Sequence, residues 1–180
     1  MGLDAMAYEK AELTDPHEPH QDSCYDNSHV FAFTLEGQQH ALDGLEDERC
    51  YIASGESEHL NQSYGNYNRY REVLCYAVLG VDPREVWESP EQYADKPFYH
   101  QINFADNEGV IGPVASAKLA KDYEERREEF IEGLPSAVQH FFGEDGLREF
   151  DGALDYYSRK YEEWQRMFEI AADTGLVDYH

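Results

Sequence analysis

The chain is 180 residues long and carries 38 Asp and Glu against 14 Lys and Arg, a formal charge of −24, with 41% apolar and 14% aromatic residues. That much apolar and aromatic material excludes an intrinsically disordered acidic tail. A negative field of this size excludes direct binding to nucleic acid or to an anionic membrane, and it favours basic surfaces and cations.

Three stretches near the start have the composition of strands: residues 5–8, 30–35 and 49–53. Between the first two runs DPHEPHQDSCYDNSH, a polar segment with two prolines and no apolar period, which reads as a loop. From Tyr64 the period becomes helical, with Tyr67, Tyr70, Leu74, Ala77 and Val78 recurring on one side and Gly80 as a C-terminal cap. A short helical turn is expected over 83–87, and another opens at Ser89-Pro90, where Ser caps and Pro takes the first helical position. A second long helix starts at Gly112-Pro113 and closes at Gly133, and a shorter one spans 135–142.

The last helix has the clearest pattern: Phe150, Leu154, Tyr157, Tyr161, Trp164, Phe168 and Ala171 alternate spacings of four and three. Gly175-Leu176 then has the form of a Schellman cap, after which 177–180 reads as a frayed tail. The expected fold is a single α+β domain over 1–180, a small antiparallel N-terminal sheet packed by three main α-helices. There is no secretory leader pattern and no run of about 18 apolar residues. The three cysteines, Cys24, Cys50 and Cys75, are an odd number without a CxxC, which fits a reducing compartment. The expected location is therefore the cytoplasm.

The opening MGLD, the segments SYGNYNRYRE (63–72) and INFADNEGVIGPVASAKLAKDY (102–123), and the ending FEIAADTGLVDYH (168–180) resemble a family of bacterial, prophage and phage proteins with no established function. The resemblance implies a compact domain and a mobile-element origin. It transfers no functional residues.

Three polar clusters carry possible chemistry. His17, His20 and Asp22 place imidazole and carboxylate close together, a donor set that suits a divalent metal, although no HExxH or second His-rich cluster completes the site. His100, Asn103, Asp106, Asn107 and Glu108 crowd the approach to the Gly112-Pro113 helix start, where free N–H groups favour an anion. With a bound divalent metal, Asp106 and Glu108 would hold the ion and His100 would act as a base. Asn68 and Arg71 lie one helical turn apart beside tyrosines, a pairing that recognises carboxylate or phosphate. The structural alternative at each cluster is an ordinary solvated loop or a tyrosine-rich helix covering the sheet.

Two functional expectations follow. The first is an acidic interaction protein that engages a basic protein surface, standing in for nucleic-acid phosphates as phage-encoded inhibitors of host defence do. The second is a metal-dependent hydrolase or phosphotransfer enzyme with its site near 100–113: catalytic His100, Asp106 and Glu108, with Asn68, Arg71 and Asn103 binding substrate. Salt adaptation is a third account of the charge, since only five Lys accompany the 38 acids.

Overall fold

The computed structural model describes residues 2–14, 29–104, 108–148 and 150–180, with side chains described for all of these except 144–148, 150 and 151. The chain folds as α+β. Strands β1 (Gly2–Leu13), β2 (His29–Ala32), β3 (Arg49–Ser63), β4 (Gly109–Ile111) and β5 (Leu176–Tyr179) form one sheet in the order β2-β3-β1-β5-β4, every pairing antiparallel. The sheet curls on itself, so that Val110 N–H of β4 donates to Phe33 O, just past β2, at 2.9 Å.

The two faces of the sheet bury different things. Leu3, Ala5 and Ala7 of β1 alternate toward the helices and join the main core, whereas Val30, Ala32, Tyr51, Ala53, Val110 and Leu176 close a smaller core inside the curl. A bulge keeps this alternation in step. Tyr8 pairs with Ser57 and Lys10 with Ser54, so Glu9 alone opposes Gly55 and Glu56. Gly55 takes the left-handed conformation there (φ 82°), and Glu9 Oε2 accepts from Glu56 N–H at 2.9 Å.

The helices are α1 (Tyr64–Leu79), the short α2 (Pro83–Glu88), α3 (Pro90–Tyr93) and α4 (Tyr99–Ile102), then α5 (Pro113–Glu125), α6 (Arg127–Arg148) and α7 (Phe150–Ala171). Ser63 caps α1 by accepting from Asn66 N–H at 3.1 Å, and Gly80 ends it in the left-handed region. On α7, Tyr157, Tyr161, Trp164, Phe168 and Ala171 are buried, as their spacing predicts.

Four features depart from the sequence reading. The sheet is not confined to the N-terminal third, because residues 176–179 form β5 rather than a frayed tail: Asp4 and His180 exchange backbone hydrogen bonds of 2.8 and 2.9 Å. Gly175 is therefore no Schellman cap. A Cβ there would stand 1.9 Å from Tyr8 O, so it is glycine because α7 turns back hard against β1. The second long helix ends at Glu125, with Arg126 as its cap, not at Gly133, and a new helix begins at Arg127, which gives four long helices among the described residues instead of three. Finally, Cys50 is disulfide-bonded while Cys75 is free and buried, so the cysteines do not argue for a reducing compartment. No helix among the described residues is long and apolar enough to cross a membrane.

Gly133 sits in the middle of α6, where a Cβ would meet Ala77 O of α1 at 2.0 Å. Gly133→Ala should destabilise the fold by ~2 kcal/mol or more despite its better helix propensity, a fall in melting temperature of roughly 4–8 °C. Gly152→Ala, on an exposed stretch of α7 with nothing within 4 Å, should be neutral or stabilising by up to ~1 kcal/mol. Thermal unfolding of both variants checks the pair. Burial pushes the Cys75 thiol up to about 12, so iodoacetamide should leave Cys75 unmodified in the folded protein and label it on denaturation, read by peptide mass spectrometry.

Candidate functional site

Two of the three polar clusters can be placed in whole or in part. Asn68 and Arg71 lie on α1 and Asn103 follows α4, and all three line one pocket of about 540 Å3 together with Gln38, Glu72, Trp87 and Phe104. Helical spacing puts Asn68 and Arg71 on the same side of α1. The short helices α2 and α4 bring Trp87 and Asn103 over them, because Trp87 Nε1–H donates to Ile102 O at 2.9 Å.

Arg71 is the centre of this pocket. It is only 5% exposed, and it is the one charged side chain buried among the described residues. Its guanidinium stacks on the Tyr67 ring (4.7 Å to the centroid) and lies 5.8 Å from the Trp87 ring. Nη1 donates to Phe104 O and, at 3.4 Å, to Ile102 O, while Nη2 donates to Asn68 Oδ1. Nε is buried without an acceptor. No carboxylate among the described residues lies within 4 Å of it; the lining acid, Glu72, pairs instead with Arg69 at 2.6 Å.

His100 and Glu108 do not line this pocket. His100 sits on α4 with its ring 5.1 Å from that of His40 and 5.7 Å from that of Tyr99. Burial, Lys118 and His40 together hold its imidazole down at about 4, and His40 is lowered by burial as well. A partly buried, uncharged imidazole of this kind is a poor proton carrier at neutral pH. Glu108 is exposed ahead of β4. Asp106 lies outside the described residues, as do His17, His20 and Asp22. Among the described residues no group of three His, Cys, Asp or Glu side chains converges to hold a metal ion.

The start of α5 is not an open anion site. Pro113 has no N–H, Val114 N–H donates to Asp43 O at 3.2 Å, and Ser116 N–H donates to Gly112 O at 2.9 Å. The backbone of 42–43 packs so closely that a Cβ on Gly112 would lie 2.6 Å from Asp43 O. The chain's own carbonyls thus occupy two of the N–H groups that an anion would use.

A second pocket, of about 490 Å3, lies between β3 and α7. Its cations are already neutralised: Arg159 and Lys160 by Glu163, Arg166 by Glu56 and Glu169. Sequence reasoning missed Trp87, Gln38 and His40, because nothing in their local pattern ties them to α1. No family model matches the chain, and no curated protein or solved structure matches it either.

The lowered imidazole has a sign that can be tested. Between pH 6.5 and about 4 the folded state binds fewer protons at His100 than the unfolded chain does. This site's contribution to stability is therefore present above pH 6.5 and lost as pH falls toward 4. His100→Phe should flatten that part of the pH–stability curve relative to wild type, a difference that cancels the changing repulsion of the acidic surface. The ring resonances of His100 in wild-type protein should stay at their neutral positions until pH approaches 4.

Proposed function

We propose that the chain is an interaction protein whose acidic surface engages a basic protein partner, in competition with the nucleic-acid phosphates that such a partner binds. The observation that carries this reading is the disposition of the acids. Every carboxylate whose burial is described is exposed or partly exposed, so the negative charge of the described residues faces solvent. The turn at 43–48 is the densest example, with Asp43, Glu46, Asp47 and Glu48 all exposed and only Arg49 to offset them. Glu48 is held at φ 55° there, a left-handed conformation for a non-glycine residue. A mobile-element setting, implied by the family resemblance, belongs to the same proposal. Exposed charge of one sign raises association rates with a cationic surface, and that effect is strongly screened by salt.

The test is a displacement assay. A basic DNA-binding domain holding a fluorescent duplex is titrated with the protein at low and at physiological ionic strength. The expected result is release of the duplex at low salt with steep salt dependence, weakened several-fold by the paired variant Glu46→Gln, Glu48→Gln, which leaves the core untouched. Failure to release the duplex at low salt from any of several unrelated basic domains would sink the reading.

A further inference from the structure

Arg71 is an electrostatic anomaly. Taking a guanidinium out of water costs several kcal/mol unless a counter-charge and hydrogen bonds replace the lost hydration. In a chain with 38 acids and 14 cations a carboxylate partner is statistically easy to supply, and the cations around the other pocket all have one. Arg71, the most buried cation of the described residues, has hydrogen bonds to two backbone carbonyls and to Asn68 but no carboxylate among those residues. Those neutral acceptors fix the guanidinium in place, and no carboxylate among the described residues compensates its charge. It also borders an open pocket whose other polar lining consists of the amides of Gln38, Asn68 and Asn103 and the already paired Glu72.

We propose that this pocket is a ligand site in which Arg71 receives the carboxylate of a small molecule whose flat body lies on the Trp87 indole. This goes beyond the basic-partner reading and does not depend on it. Three features narrow the class of ligand. One guanidinium without a counter-charge among the described residues matches one negative charge, so a monoanion fits and a phosphate dianion, which would call for further cations, does not. The acidic surface repels polyanions before they arrive. Trp87 is 41% exposed in the pocket lining, and its Nε1–H is tied to Ile102 O, so the ring is a fixed platform beside the guanidinium and suited to stacking. Holding both groups in place before binding lowers the ordering cost on association.

The experiment titrates 15N-labelled full-length protein with benzoate, with benzamide as the uncharged isostere, and with inorganic phosphate. The chain has two tryptophans, and Trp164 is fully buried, so its indole N–H serves as an internal control. Benzoate should shift the Trp87 indole N–H saturably and leave that of Trp164 in place. Benzamide and phosphate should each bind at least roughly tenfold more weakly, as expected when a charge-assisted hydrogen bond is absent or mismatched. Arg71→Met should abolish benzoate binding and Asn103→Ala should weaken it several-fold. If Arg71→Met does not fold, the benzoate–benzamide comparison on wild type decides the question alone. No saturable shift with benzoate, equal binding of benzamide, or tighter binding of phosphate overturns the proposal.

Discussion

The strand that everything else is built against is β1, and its defining property is how little it projects toward the helices. Leu3, Ala5 and Ala7 are its inward residues, and all three are fully buried. Such a surface lets aromatic side chains lie close over the sheet, and the chain supplies them from three directions: Tyr67 from α1, Trp164 from α7 and Tyr179 from β5. Their ring centroids stand 5.2 to 5.9 Å apart, within the spacing at which aromatic pairs gain beyond simple area burial. Larger residues at positions 5 and 7 would push these rings off the sheet, and the turn at Gly175 that brings β5 beside β1 would lose its fit. The N-terminal and C-terminal strands are thus mutually dependent.

From this seam the order extends outward to the pocket. Tyr67 is both a member of the aromatic triad and the surface on which the Arg71 guanidinium stacks. Arg71 in turn gathers the carbonyls of Ile102 and Phe104, and Trp87 shares the Ile102 carbonyl. Phe104 closes the circuit by meeting Tyr179 edge-on at 4.9 Å. The irregular stretch between α2 and β4 has few elements of its own to stabilise it. The placement of its described part rests first on one charged side chain reaching out of a well-packed helix. A second polar circuit, Tyr70 to Tyr123 to Gln101, anchors the same stretch from the inner side at 2.9 and 2.6 Å.

These dependencies explain which parts of the fold were legible in the sequence. Periodicity found α1 and α7, because their buried residues recur at helical spacing and their packing needs no information from elsewhere in the chain. Cap chemistry found the C-terminal end of α1 at Gly80. It failed at Gly133 and Gly175, where glycine is required by a close backbone approach from another element, a cause that no local pattern reveals. The second half of β3, GESEHLNQS, looks like a loop because only Leu60 and Gln62 are buried; its pairing with β1 makes it a strand. The pairing of Asn68 with Arg71 was visible as helical spacing beside tyrosines. The contributions of Trp87 and Gln38 were not, since the pocket is assembled by distant contacts.

The two charge features of the molecule act over different distances, and this decides which governs each kind of binding. At physiological ionic strength the exposed carboxylates are screened beyond about 8 Å. They would act on a large charged partner covering much of the surface, but they contribute little inside a recess dominated by one buried cation. At contact, a guanidinium in a partly desolvated site interacts with a single carboxylate at an effective dielectric of roughly 20, worth up to about 4 kcal/mol before desolvation is subtracted. That local term exceeds the screened repulsion of the distant acids for a monoanion. For a ligand carrying several charges the balance reverses, since repulsion grows with every added charge while Arg71 still offers one. A small carboxylate in this recess is therefore compatible with an outer surface of strongly negative charge, and the two properties do not conflict.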